Sequence, residues 1–471
     1  MRPTFDLAIL GGGSAGYAAA RTAAGLGMRV AVVEGGTRIG GLCILRGCMP
    51  TKTMLESAHR NHEIGRAKEF GIRAGKPRPD WKAILRRKDQ LIAEFAGYRQ
   101  EQLEKGKFTF YRANGRFTGP HRLALKAVGK EKIPAEIEAK TFLVSTGSRT
   151  AFREIPGLEE VGYWTSDECL EASKPIKSLI ILGGRAVALE FAQYYAHLGV
   201  KVTVIQRSER LLPESDPEVG DTLAKVFREE GSAVFCGTQI QRVVKREKKK
   251  RVEFLQRGKK RSVEAEQILQ ALGREADLEG LNLSTIGVKT EKGKVATQLT
   301  QQTSVPHIFA AGDVCGPYEV VHLAIQQGEL AARNAAAWVA GKELKETMDY
   351  RLKLEVIFTS PEAAGVGYSE RECREKGWDI VTASYPFSDH GKSMVMGATD
   401  GFVKLIALKQ KGEIVGAQVV GPHASDLIHE PLTILRYRGT AQEMATMPHY
   451  HPTLSEIWTY PAEEIADLCL A

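Results

Sequence analysis

The sequence predicts an α/β protein: two Rossmann-like domains on parallel sheets, plus a smaller C-terminal α+β domain. Three observations carry this. An apolar run, Leu7-Ala8-Ile9-Leu10, leads straight into Gly11-x-Gly13-x-x-Gly16. The same order of strand, glycine turn, helix and strand returns between Ser178 and Arg210. From about residue 348 the pattern changes to short strands such as EVIFTS, GFVKLIAL and EIVGAQVVG. Repeated β-α-β units imply parallel sheets covered by helices, whereas clustered short strands imply a separate sheet-based domain.

The first unit, FDLAILGGGSAGYAAARTAAGLGMRVAVVEGG, closes its second strand at Glu34, 18 residues beyond Gly16. Glycines at these positions let the backbone turn tightly and approach a pyrophosphate, which then faces a helix N-terminus. Glu34 is placed to accept hydrogen bonds from a ribose diol. With strand, helix and terminal acid in register, the fingerprint points to a dinucleotide. KTFLVSTGSRT (140–150) is a further strand running into Thr146 and Gly147, and it closes a first domain at residues 1–150.

SLIILGGRAVALEFAQYYAHLGVKVTVIQRSER repeats the unit in altered form. Gly183 holds the first glycine position, Arg185 the second and Ala188 the third. Gln206, followed by Arg207, stands where the first copy has Glu34. Losing the acid removes repulsion of a 2′-phosphate, and Arg207 or Arg210 is placed to pair with one, which favours NADPH over NADH. QILQALGRE, containing Gly273, closes the second domain at residues 151–275. Residues 276–347 return to the first domain through SVPHIFAAGDVCG, a strand ending at Gly312-Asp313, and the helical run VVHLAIQQGELAARNAAAWVAG. Residues 348–471 form the third domain.

Composition excludes several classes. A chain of 471 residues is too long for one core. Its 43% apolar and 26% charged residues are those of an ordinary globular protein, and no apolar run reaches the ~18 residues of a membrane span. The start, MRPTFDLAILGGG, enters a strand with no secretory signal, so a cytoplasmic location is expected. Much of the net charge of +8 falls in Lys245–Arg251 and Lys259–Arg261. With VEFLQR between them, these read as an exposed hairpin with a solvated basic face, and no nucleic-acid-binding signature accompanies them.

Of seven cysteines, only Cys43 and Cys48 are close neighbours. In a reducing compartment such a pair is more often catalytic or metal-binding than structural. A metal site needs further Cys or His at short spacing, which the flanking sequence lacks, so no metal is expected there. A small-loop disulfide at the start of a helix, with Cys48 favoured as thiolate by the helix N-terminus, is the reading preferred over a structural bridge or a metal half-site.

Five ordered motifs resemble one family across essentially the whole chain. They are the first glycine fingerprint, Gly41-Leu42-Cys43-x4-Cys48-x-Pro50-Thr51-Lys52, the second fold ending in Leu189-Glu190, Ala311-Gly312-Asp313, and His449-x-His451-Pro452-Thr453-x-x-Glu456. The chain is similar to the pyridine nucleotide-disulfide oxidoreductases, which include dihydrolipoamide dehydrogenase, glutathione reductase and mercuric reductase. The resemblance implies FAD in the first domain and NADP or NAD in the second. It implies that Cys48 faces the flavin while Cys43 exchanges with the substrate. Lys52, beside the flavin, would pair with Glu190; Asp313 would hold the ribityl chain and Glu34 the adenosine ribose. His451 would move the thiol proton, with Glu456 fixing its tautomer, although Thr453-Leu-Ser-Glu456 also reads as a capping box. His451 would serve the partner subunit's disulfide, implying an obligate homodimer with shared active sites.

The substrate signal is thinner. Glu329 stands where glutathione reductases carry an arginine for a substrate carboxylate, although Arg21 matches another arginine of that pocket. The tail ADLCLA has only Cys469, where mercuric reductases end in a vicinal cysteine pair. The resemblance therefore favours a lipoyl-type dithiol, with no nucleic acid or membrane partner. The alternatives are an NADPH-dependent disulfide or mercuric reductase, a nucleotide transhydrogenase of the same architecture, and a non-enzymatic FAD-binding component.

Overall fold

The computed structural model describes residues 2–470. The chain divides into two compact units. The first comprises residues 1–51, 86–152 and 273–349, the second 52–85, 153–272 and 350–471.

In the first unit the strands Thr4–Leu10 and Val30–Glu34 pair in parallel, with Glu136–Val144 on the other side of Thr4–Leu10. Thr109–Gly119 and Ile308–Ala310 extend this parallel sheet at its two edges. An antiparallel strand, Arg122–Ala127, links Thr109–Gly119 to Glu136–Val144. The first strand ends in the buried apolar run Leu7–Leu10 because both its faces are covered there, as expected of a parallel sheet. Leu7 and Ile9 enter one core with the helices Ser14–Gly25 and Val321–Val339, while Ala8 and Leu10 enter another on the opposite face. Those two helices are alanine-rich where they meet. A Cβ on Gly328 would lie 2.2 Å from the Ala15 carbonyl oxygen, so only glycine permits their approach.

The second unit repeats the scheme. Four parallel strands run in the order Gln267–Gln270, Ser178–Leu182, Lys201–Ile205, Ala233–Phe235. Leu179 and Ile181 face one core, Ile180 and Leu182 the other. Residues 350–471 form a five-stranded antiparallel sheet, ordered Leu354–Ile357, Glu362–Gly367, Ile414–Gly421, Phe402–Leu408, Ile380–Pro386. Trp458 and Ile465 are buried in the core of this sheet.

The basic stretch lies on an antiparallel three-stranded meander, Thr238–Arg246, Lys249–Gln256 and Lys259–Ala265, and Lys245, Arg246, Lys248, Lys249, Lys259, Lys260 and Arg261 are exposed, as expected of a hairpin with a solvated basic face. Val243, Val252 and Phe254 bury the opposite face. Some cations of the meander are engaged: Arg242 pairs with Glu253 and Arg251 with Glu264, each at 2.7 Å, and Lys250 Nζ donates to the Gly162 carbonyl. One sequence expectation needs correction: Thr453 does not cap a helix. The turn Ser455–Trp458 is a 3₁₀ helix preceded by Leu454, and only the return half of the box forms, Thr453 N donating to Glu456 Oε1 at 3.3 Å. The Thr453 hydroxyl turns instead to Ser455 Oγ, 3.4 Å away.

Candidate active site

The first glycine turn is built by contacts that exclude side chains. Gly11 has φ +101°, and a Cβ there would lie 2.4 Å from Ser145 O; on Gly16 it would lie 1.8 Å from Gly11 O. No side chain caps the helix that follows, so its first N–H groups are left for an anion. Glu34 holds the turn: its two oxygens accept from Gly12 N and Gly36 N, each at 2.7 Å.

These residues line one side of a cavity of about 1090 Å³ lying within the first unit, large enough for a dinucleotide. Gly11, Gly13 and Glu34 line it, as do Thr146, Gly147, Gly312 and Asp313. Cys43 and Cys48 line it too, both half-buried. Cys43 lies in the short helix Gly41–Leu45, and Cys48 is the first residue of the helix Cys48–Arg66. Glycines at 40 and 41, with φ +148° and +67°, shape the approach to the first of these helices. The residues present fit FAD: a glycine cradle that a Cβ would fill, a carboxylate at the strand end, and two sulfurs on the same wall.

Asp313 is held by residues the sequence did not flag. Ser148 Oγ donates to its carboxylate at 2.6 Å, and Arg274 in turn donates to Ser148 Oγ at 2.8 Å. Burial raises the Asp313 carboxyl above its ordinary range, against the hydrogen bond from Ser148. The fully buried Gln327 clamps the same loop, accepting from Gly312 N and donating to Gly316 O, both at 2.7 Å. Thr146 Oγ1 donates to Asp277 O at 2.6 Å, and Gly147 O accepts from Asp277 N at 3.0 Å. Gly273 takes φ +108° and accepts from Ala151 N at 3.1 Å.

In the second unit, Lys52 Nζ reaches both oxygens of Glu190 at 2.8 Å. Glu190 is 4% exposed and also accepts from Phe358 N at 3.1 Å, while the Lys52 ammonium lies 4.8 Å above the Phe358 ring. Lys52 follows Cys48 by four positions on one helix, so the two project from the same helical face.

The second glycine turn keeps the first constraint and relaxes the last. Gly183 has φ +129°, and a Cβ there would lie 2.4 Å from Ala271 O, repeating Gly11 against Ser145. Ala188 fits where Gly16 could not be replaced. Arg185 turns to solvent in an ion pair with Glu214, and Arg210 pairs with Asp221 at 3.1 Å. Gln206 is buried beneath Gly184, and Arg207 beside it is exposed.

His451 Nδ1 lies 3.0 Å from Glu456 Oε2; the histidine side chain is 80% exposed and the glutamate 14%. A third group, unflagged by sequence, stands behind them. His390 Nε2 approaches Glu456 Oε1 at 3.4 Å without hydrogen-bond alignment, and its Nδ1 is 2.8 Å from Ser393 Oγ. Burial lowers the His390 imidazole's affinity for protons, opposed by Glu456. His449 is engaged elsewhere, with Glu430 at 2.7 Å. Arg21 and Glu329, whose identities bore on the substrate, face each other at 3.8 Å.

Comparison with known proteins agrees with this architecture. Residues 5–328 match the pyridine nucleotide-disulphide oxidoreductase family model, and residues 354–462 match that family's dimerisation domain. A dihydrolipoyl dehydrogenase of Bacillus subtilis is 33% identical, with 97% of each chain covered. A mercuric reductase of Staphylococcus aureus is 32% identical over 96% of this chain and 81% of its own. Among solved structures, LpdA from Mycobacterium tuberculosis superposes with TM-score 0.86 at 26% identity, covering 98% of this chain and 99% of its own. No helix among the described residues is long and apolar enough to cross a membrane. With family matches spanning both sheet systems, the chain belongs to the pyridine nucleotide-disulphide oxidoreductases, flavoenzymes that use FAD and NAD(P).

Proposed function

We propose that the protein oxidises a small lipoyl-type dithiol in the cytoplasm, as a homodimer with shared active sites, passing two electrons through Cys43–Cys48 and FAD to NADP or NAD. The observation that carries this is the single cavity lined by the glycine cradle, Glu34 and both sulfurs. The similarity to dihydrolipoyl dehydrogenases supports the choice of dithiol.

The chain's own groups account for the thiol steps. His451, oriented through Nδ1 by Glu456, accepts a substrate thiol proton at Nε2. The resulting thiolate attacks Cys43, the Cys43–Cys48 bond breaks, and Cys48 leaves as a thiolate favoured by its place at a helix N-terminus. The second substrate thiol then attacks the mixed disulfide; the departing Cys43 sulfur takes the proton held on His451, which accepts the second thiol's proton in exchange, and oxidised substrate and the Cys43 thiol are released. Bound FAD supplies the two-electron relay between Cys48 and the nicotinamide. Lys52, fixed by Glu190, keeps a positive charge on the Cys48 helix for the developing negative charge. His451 is exposed in the single chain, which supports its serving the partner subunit's disulfide.

Activity with lipoamide, glutathione disulfide and Hg(II), each with both nucleotides, tests the assignment. Absence of lipoamide turnover with either nucleotide refutes it. A reductase of other disulfides remains the second reading, favoured by Gln206 and Arg207 in the nucleotide site. Cys469 packs against the core of residues 350–471.

A further inference from the structure

Among the described residues, one group of side chains outside the redox site has the donors and spacing of a metal centre. His62 on the helix Cys48–Arg66, His197 at the end of the helix Ala186–His197, and Glu230 just after the helix Pro217–Glu229 place their ligand atoms within 4.8 Å of one another. His197 Nε2 lies 3.2 Å from Glu230 Oε1, and His62 Nε2 lies 4.0 Å from the same oxygen. A hydrogen bond to Glu230 accounts for His197 alone. It does not account for His62, whose ring stacks on His197 at 4.1 Å. Nor does it account for His59, one turn earlier, set edge-on to His197 at 5.4 Å. His197 is 2% exposed and its Nδ1 has no hydrogen-bond partner, nor has the buried His59 Nε2. Three imidazoles are thus gathered around one carboxylate, of which the hydrogen bond to Glu230 satisfies only His197 Nε2.

We propose that His62, His197 and Glu230 bind one divalent cation of the zinc class, with water completing the coordination. Two imidazoles and a carboxylate suit zinc or copper(II) better than magnesium or calcium. Supporting contacts are present: Gln193 Nε2 donates to Glu230 Oε2 at 3.1 Å, and Asn61 donates to the His197 carbonyl at 2.7 Å. His62, 27% exposed, provides the mouth. The cation would clamp the helices carrying Lys52 and Glu190 at a second level, roughly 15 Å along from Lys52 at 1.5 Å per residue.

The test is calorimetric titration of the oxidised holoenzyme with Zn²⁺, together with electron paramagnetic resonance of its Cu²⁺ adduct. One Zn²⁺ per chain is expected, weakened at least about tenfold in both His62→Gln and Glu230→Gln. The Cu²⁺ spectrum should show two coupled nitrogens in the wild type and one in His62→Gln. Neither variant touches the redox site, so flavin content and turnover should match the wild type and report folding. Unchanged Zn²⁺ affinity in both variants overturns the proposal. Fewer than two coupled nitrogens in the wild-type spectrum also overturns it, even if a variant fails to fold. None of these readings depends on which dithiol is turned over.

Discussion

Replacing Glu190 separates two roles of one carboxylate. In Glu190→Gln, the amide oxygen still accepts from Phe358 N, but the ionic partner of Lys52 is gone. A hydrogen bond to a charged group contributes about 1.5–3 kcal/mol and a neutral one about 0.5–1.5, so the loss should be about 1–2 kcal/mol. In Glu190→Ala, Phe358 N also loses its acceptor in a site that is 4% exposed. An unsatisfied buried donor costs about 1–3 kcal/mol more, bringing the total to about 2–5, which overlaps the range for breaking a buried pair. Lys52 is 30% exposed and can recover water, which keeps the total from going higher. At about 2–4 °C per kcal/mol for a domain of 150–250 residues, thermal unfolding followed by tryptophan emission should drop by about 2–8 °C for glutamine. For alanine it should drop by about 4 °C or more, and by more than for glutamine. Equal midpoints for the two variants would refute the reasoning, because the Phe358 contact would then contribute nothing. If Cys48 is the flavin-facing thiolate proposed above, the same proteins reduced anaerobically by two electrons should show a weakened long-wavelength absorbance band, since Lys52, four residues on in the same helix, loses its fixed partner.

Arg207→Ala should reduce kcat/KM for NADPH by about 10–100-fold, the worth of a charge-assisted hydrogen bond, and leave NADH little changed; an equal loss with both coenzymes would remove Arg207 from phosphate recognition. His390→Phe should lower kcat for dithiol oxidation and move the pH profile of kcat, because Glu456 loses the group behind it; an unmoved profile with reduced Tm would assign His390 to packing alone. Lys404 is 4% exposed and contacts Asp216 at 3.3 Å as well as Glu370. Lys404→Met should therefore cost about 3–5 kcal/mol by stranding two carboxylates, measured as lost thermal stability. Burial works to lower the Lys404 pKa, but Glu370 and Asp216 prevail and raise it above 10.5. The stability it contributes is therefore fully present below pH 10.5 and lost as pH rises beyond it. Alkaline unfolding should be steeper in the wild type than in Lys404→Met.

What was legible in the sequence was whatever depends on neighbours in the chain. Gly11 and Gly16 announce themselves because a turn between strand and helix tolerates no other residue there, and the cysteines because two thiols share one short segment. What escaped depends on partners far along the chain. Ser148 meets Asp313 across 165 positions, and His390 reaches Glu456 from a different element. The strand Glu362–Gly367 was missed for another reason. Its sequence, EAAGVG, has weak strand propensity, yet it pairs on both sides, with Leu354–Ile357 and Ile414–Gly421. A Cβ on Gly367 would lie 2.3 Å from Val415 O, so close packing selects the small residues that hide the strand from pattern reading.

The two glycine turns also show why the acid at the end of the second strand is worth more than a ribose contact. Glu34 accepts from Gly12 N and Gly36 N, so in the first unit it braces the cradle before any nucleotide arrives. Gln206 has a single weak contact of this kind, Nε2 to Arg210 O at 3.5 Å, and its stem packs under Gly184 where a Cβ would meet it at 2.9 Å. The second turn is thus supported by packing and carries no fixed negative charge. A dinucleotide bound there meets a neutral strand end flanked by the exposed Arg207, whereas one bound in the first unit must share Glu34 with two backbone donors. That asymmetry fits one cofactor held permanently and another that comes and goes. It requires that Glu34→Gln loosen FAD far more than any substitution of Gln206 loosens the nicotinamide nucleotide. Flavin retention after gel filtration, compared with nucleotide affinity by fluorescence titration, measures both, and equal sensitivity at the two positions would remove the bracing role assigned to Glu34.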